Sequence, residues 1–257
     1  MTAPTLSSRV ALVTGGAQRI GRAIALALAH DGWDVAIHFR SSRAAAMETV
    51  AQIQAIGRRA HAVAFDLAAM QGWDDLLDDC ERVLGPLRCL VNNASLFEAD
   101  SAQDFSLERF EAHMRVNVAA PVALARALHA RLPADAAGVV VNLLDQKLWN
   151  PNPDFFSYTL SKSALQAANG LLARALAPKL RVVGVAPGIT LPAPGQTISG
   201  FQSAHRATLL GHASSPEDIA QAVVFLINAP SITGTSLIVD GGQHLVPSAR
   251  DIMFLKS

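Results

Sequence analysis

From Arg9 onward, short runs of β-branched and aliphatic residues alternate with longer alanine- and leucine-rich stretches along this 257-residue chain. Apolar runs of strand length bounded by glycine and proline read as strands buried on both faces, and the intervals are long enough for helices. Repeated βαβ units of this kind build a parallel sheet with helices on both sides, because every crossover must pack back onto the sheet with the same hand. The pattern predicts strands at 10–13, 34–39, 60–65, 89–92, 138–144, 181–185 and 236–239. It predicts helices at 20–30, 43–56, 73–84, 107–132, 155–177 and 216–228. The expected fold is one α/β domain over 1–257, a doubly wound parallel sheet of seven strands. The one long irregular segment, 190–213, is rich in Gly, Pro and Ser and comes after the sixth strand, which suits a substrate lid.

Charge and cysteine content narrow the partners. Lys plus Arg and Asp plus Glu are 21 each, so no net field gathers nucleic acid or an anionic membrane, and a small molecule is the expected partner. Cys80 and Cys89 lie in apolar stretches without metal-ligand spacing and read as buried thiols of a reducing compartment. His38, His205 and His212 also lack such spacing, and no metal is expected. Residues 1–8 are polar, with no signal-peptide core, and no apolar run reaches spanning length, so a cytoplasmic protein is expected.

The first predicted strand ends in Thr14-Gly15-Gly16-Ala17-Gln18-Arg19-Ile20-Gly21, which opens a helix. Gly15 permits a tight turn and close approach to a pyrophosphate, Gly21 permits close helix packing, and the helix N-terminus faces the anion. This points to a Rossmann-type dinucleotide site. Counting on to the ribose-binding acid reaches Asp34, which starts the second strand at the wrong end of the sheet. At the right end stands His38-Phe39-Arg40-Ser41-Ser42-Arg43, with no carboxylate before Glu48. A guanidinium and two hydroxyls suit a 2′-phosphate, so NADPH is expected rather than NADH. The other reading makes Arg40 and Arg43 solvated helix charges. Asp66, ending the third strand, either accepts from the adenine amine or caps the turn after that strand.

The single tyrosine, Tyr158, stands four residues before Lys162. On a helix such a pair shares a face, and the ammonium is expected to pull the phenol's pKa down toward working pH, giving an acid/base group for carbonyl-type chemistry.

Together these motifs resemble the short-chain dehydrogenase/reductase family from Arg9 to about Leu245. Asn92-Asn93-Ala94, Asn117, Pro187-Gly188 and Asp240-Gly241-Gly242 add to the likeness. The resemblance implies that Tyr158 is the acid/base, that Lys162 holds the nicotinamide ribose, and that Asn117 anchors a relay water. It also implies cofactor contacts at Ile20, Asn93, Ala94, Pro187 and Gly188, and a homotetramer built through the helices of Asn117 and Tyr158.

Three departures narrow the likeness. Arg19 replaces a glycine of the turn, Ser95 replaces the glycine after Asn-Asn-Ala, and Asp145 replaces the serine thirteen residues before the tyrosine. With Phe97 they are similar to the pteridine reductase branch, which includes bacterial dihydromonapterin reductases. That branch implies Phe97 stacked on a pterin, Ser95 and Arg19 bonding pterin and cofactor phosphates, and Asp145 holding the ring's polar edge. Reduction of a ring C=N needs protonation at nitrogen, which a carboxyl partner serves better than a serine. The expected activity is NADPH-dependent reduction of a dihydropterin, such as dihydrobiopterin or dihydromonapterin, or of dihydrofolate. Trp149, Phe155 and Phe156 are candidate aromatic walls. Alternatively, Asp145 caps a turn, Ser95 is a tolerated small residue and Phe97 packs a loop. The chain is then a short-chain ketone reductase, or a silent cofactor-binding protein of the same fold.

Overall fold

The computed structural model describes residues 9–69, 71–192, 198–206 and 208–254. Its centre is one parallel sheet of β1 (Val10–Val13), β2 (Asp34–Phe39), β3 (Ala60–Ala64), β4 (Cys89–Asn92), β5 (Gly138–Leu143), β6 (Leu180–Pro187) and β7 (Ser236–Val239). The strand order is β3-β2-β1-β4-β5-β6-β7, so the chain reverses direction across the sheet between β1 and β4. That switch point leaves a crevice at the carboxyl ends of the strands, where ligands of doubly wound sheets sit.

The central strands are apolar without alternation because both faces are covered: every residue of β1, β2, β4 and β5 is buried. One face packs against α1 (Arg19–His30), α2 (Arg43–Ala55) and α8 (Pro216–Ile227), through Ile24, Leu28, Ile53 and Val223. The other packs against α3 (Trp73–Leu84) and α5 (Ala120–Arg131), through Leu77, Leu84, Leu124 and Leu128. Both cysteines are buried free thiols, and desolvation pushes Cys80 up to about 12.

The expected helix over 107–132 is three pieces: α4 (Leu107–Met114), a π-helical turn over Arg115–Ala119, and α5. Pro121, near the start of α5, has no N–H to give the carbonyl four residues back and crowds it, so the ladder shifts register there. Asn117 lies in that turn. The expected lid, 190–213, is not wholly irregular: α7 (Ile198–Arg206) occupies part of it, while 193–197 and 207 lie outside the described residues. α6 (Phe156–Ala175) carries Tyr158 and Lys162.

Candidate active site

The glycine turn is held rigidly from two sides. Gly15 has φ +61°, and its N–H donates to Nδ1 of buried His38 at 3.0 Å. His38 Nε2 lies 3.0 Å from the carbonyl of Phe65, so the ring is the neutral Nε2–H tautomer. Desolvation pushes its pKa down, consistent with that form. On the other side Asn93 Nδ2 donates to the carbonyls of Thr14 (2.9 Å) and Gly15 (3.2 Å). Thr14 Oγ1 in turn accepts from the N–H groups of Asn93 (2.9 Å) and Ala94 (3.0 Å). A Cβ on Gly21 would fall 2.1 Å from the Gly15 carbonyl oxygen, so this packing admits only glycine.

Arg19 adopts φ +55°, a left-handed conformation that costs a side-chain-bearing residue about 1–3 kcal/mol. This explains the glycine preference of related turns. Its guanidinium donates to the Pro192 carbonyl at 3.0 Å, tying the turn to the chain after β6. The residue also borders a cofactor-sized cavity.

The turn opens on a cavity of about 500 Å³ that runs from Arg40, Ser41 and Ser42 at one end to Phe97 and Tyr158 at the other. Gly15, Arg19, Ile20, Gly21, His38, Asp66, Asn93, Ala94 and Ser95 line its length. No side chain caps the N-terminus of α1, and its first turn holds no acid, so the helix presents a bare positive end there. Asp34 is excluded as a ribose reader: it pairs with Arg58 at 2.7 Å and Arg59 at 2.8 Å, away from this cavity. Asp66 Oδ1 caps the Ala68 N–H at 2.9 Å, and the residue borders the cavity.

At the far end, the Tyr158 hydroxyl donates to Asp145 Oδ2 at 2.7 Å. Asp145 Oδ1 accepts from the Lys147 N–H at 2.8 Å, so the residue both caps its turn and grips the phenol. Lys162 shares the helix face as expected, but Nζ donates to the Leu143 carbonyl at 2.7 Å and sits 5.8 Å from the phenol ring centroid. The expected depression of the phenol is therefore corrected. Burial first, and then the charge and hydrogen bond of Asp145, raise Tyr158 well above 10. Burial also raises Asp145 and lowers Lys162 to about 8.

Asn117 is fully committed. Its Nδ2 donates to the Leu96 carbonyl (3.0 Å) and Ser161 Oγ (2.9 Å). Its Oδ1 accepts from the Leu96 N–H (2.8 Å) and Ser95 Oγ (3.2 Å). These bonds make the Asn117 side chain a brace for the 95–96 turn. Phe97 does not stand free either. It stacks on Phe155 at 4.2 Å between centroids and meets Tyr158 edge-on at 4.7 Å, with 41% of its surface exposed. Pro187 ends β6 and Gly188 follows it, where a Cβ on Gly188 would fall 2.6 Å from the Asp240 Cβ; neither residue lines the cavity.

Asp100 carries no motif and is missed by sequence reasoning. Its carboxylate accepts from the Ser157 N–H (3.0 Å) and Oγ (2.5 Å), capping α6 from a distant loop and fixing where Tyr158 begins its turn.

Residues 9–199 match the family described as short chain dehydrogenase. The chain is similar to the FolM alternative dihydrofolate reductase 1 of Brucella canis, solved with NADP, at 39% identity and a TM-score of 0.87, covering 96% of this chain and 97% of that one. The counterpart from Brucella suis, also with NADP, is 40% identical with a TM-score of 0.87, covering 95% and 98%. The 3beta-hydroxysteroid dehydrogenase 1 of Eggerthella lenta is 30% identical over 250 residues, 94% of this chain and 96% of that enzyme.

Proposed function

The chain belongs to the short-chain dehydrogenase family, on its pteridine reductase-like branch, and we propose that it reduces a ring C=N of a dihydropterin to the tetrahydro form. Dihydrobiopterin, dihydromonapterin and dihydrofolate are the substrate candidates. The protein is an oxidoreductase and its cofactor is NADPH. The residues present fit that group: an uncapped helix start meets a cradle closed to any Cβ at Gly21, and a basic, hydroxylated corner takes the place of a ribose-binding acid. In this reading Gly15, Arg19, Ile20, Gly21, Asn93 and Ala94 cradle the pyrophosphate and His38 braces the turn. Arg40, Ser41 and Ser42 take the 2′-phosphate, Asp66 the adenine, and Lys162, Pro187 and Gly188 the nicotinamide half. When bound, NADPH supplies the hydride.

The observation that carries the substrate reading is the 2.7 Å bond between Tyr158 and Asp145. A phenol held well above 10 is a proton donor throughout the working range, as reduction requires. Tyr158 gives its proton to the ring nitrogen, and Asp145, whose acidity burial weakens, takes up a proton from water and returns it to the phenolate along the same bond. Lys162, with Nζ 5.8 Å from the ring centroid, is the cation that stabilises the transient phenolate. Ser95 and Phe97 border the same end of the cavity, where a flat ring has a hydroxyl at its edge and an aromatic surface at its face.

The assay is NADPH oxidation against a panel of dihydropterins, dihydrofolate and simple ketones. The 3beta-hydroxysteroid dehydrogenase relative favours ketone reduction as the second reading, and turnover of ketones alone selects it. Cofactor binding with no turnover on any member selects a silent binding protein. A homotetramer formed through the helices of Asn117 and Tyr158 belongs to the same proposal. It is supported by an apolar surface groove of about 580 Å³ among Met114, Val118, Val122 and Ala123. A cytoplasmic location is proposed from the two free buried thiols. No helix among the described residues is long and apolar enough to cross a membrane.

A further inference from the structure

The loop between β5 and α6 carries Asp145 at one end and Phe155 at the other, and residues 250–254 lie clamped against it. Lys147, only 3% exposed, donates from Nζ to Asp251 Oδ2 at 3.0 Å and to the Asp154 carbonyl at 2.7 Å. Both carboxylate oxygens of Asp154 accept from Arg250 Nε, at 3.0 and 2.8 Å, and one also accepts from the Asp251 N–H at 2.6 Å. Phe254 stacks on Phe155 at 5.7 Å between centroids, and Phe155 in turn stacks on Phe97 at 4.2 Å. Phe155 itself has φ +54°, an outlier for a bulky residue that persists only where its surroundings over-determine it. A surface tail has no need of a buried ion pair, whose desolvation is costly unless the geometry is good.

We propose that this C-terminal segment is part of the active site, with Asp251 and Phe254 as positioning residues. Asp251 fixes Lys147, whose backbone N–H orients the Asp145 carboxylate against Tyr158. Phe254 fixes Phe155, which sets the plane of Phe97 at the ring-binding end. The segment therefore governs both the proton-donating pair and the selection of flat ring substrates. Selection of ring substrates rests on the dihydropterin reading; positioning of the proton-donating pair does not.

Because Tyr158 is the chain's only tyrosine, protein grown with [13Cζ]tyrosine gives one NMR line that reports its hydroxyl bond without any substrate. The groups facing that hydroxyl and ring are Asp145, Lys162, His113 and, through space, Asp251. Asp251→Asn is expected to move the line and lower kcat at least about fivefold, with NADPH binding within about twofold of wild type. Phe254→Ala trims a ring 43% exposed and so spares the fold. It is expected to raise the dihydropterin KM about threefold or more with kcat within twofold. An unmoved line in Asp251→Asn, or an unchanged KM in Phe254→Ala, overturns the proposal even if dihydropterins are turned over. A wild type that reduces no dihydropterin sinks the substrate reading and the KM arm, while the line of Asp251→Asn still decides whether the segment positions Tyr158. Should Asp251→Asn fail to bind NADPH, Phe254→Ala and its line position decide in its place.

Discussion

The Tyr158 hydroxyl donates a hydrogen bond to Asp145 at 2.7 Å, while Lys162 donates to the carbonyl of Leu143. The phenol is thus coupled to a carboxylate, and the lysine lies beside its ring. A spectrophotometric titration of folded protein reports this phenol alone, since the chain has one tyrosine. The expected result is no tyrosinate below about pH 10, because burial and Asp145 both raise the group. Asp145→Asn, which removes the charge and keeps the shape, shifts the onset to lower pH. A wild-type phenol that ionises below its ordinary value contradicts the arrangement.

In the proposed reading the corner after β2 sets the cofactor preference. Arg40→Ala removes a guanidinium that lines that end of the cavity, between Phe39 and Ser41. A charge-assisted bond to a 2′-phosphate contributes enough that NADPH affinity falls by about 10-fold or more, with NADH affinity nearly unchanged. Fluorescence titration with both nucleotides measures the difference, and equal losses contradict the assignment.

Lys162 links the site to stability. Burial lowers its pKa from 10.5 to about 8, so between those values the folded state binds fewer protons than the unfolded chain. Stability from this group therefore rises with pH across that window, and the cost of burying the charge is fully present below about 8. Lys162→Met removes the dependence. The Tm of the variant relative to wild type is expected to fall as pH is raised from about 8 to 10.5, measured by calorimetry. A constant difference contradicts the lowered pKa.

Most of the fold is legible in the sequence because each central strand is a largely apolar run, and β1, β2, β4 and β7 have the expected bounds. The π-helical turn at Arg115–Ala119 is less so, because its cause, Pro121, lies beyond it and proline is also ordinary in a helix's first turn. The glycine turn, the Arg40 corner and the Asp145, Tyr158 and Phe97 cluster are readable from local spacing. Spacing gives the shared face of Tyr158 and Lys162 but not which carbonyl the lysine meets, and Leu143 is nineteen residues away. Asp100 on Ser157 and Asp251 on Lys147 are pairings across 57 and 104 residues, between loops whose sequences carry no periodicity to place them.

The most direct test of the account is NADPH oxidation with dihydrobiopterin by wild type and by Asp145→Ser, with NADPH binding measured in parallel. If Asp145 grips and reprotonates Tyr158 for reduction of a ring C=N, the serine variant loses about 10²-fold or more in kcat while its NADPH affinity stays within about twofold. Dihydropterin turnover within about twofold of wild type in the variant, or a wild type that reduces only ketones, contradicts the central claim.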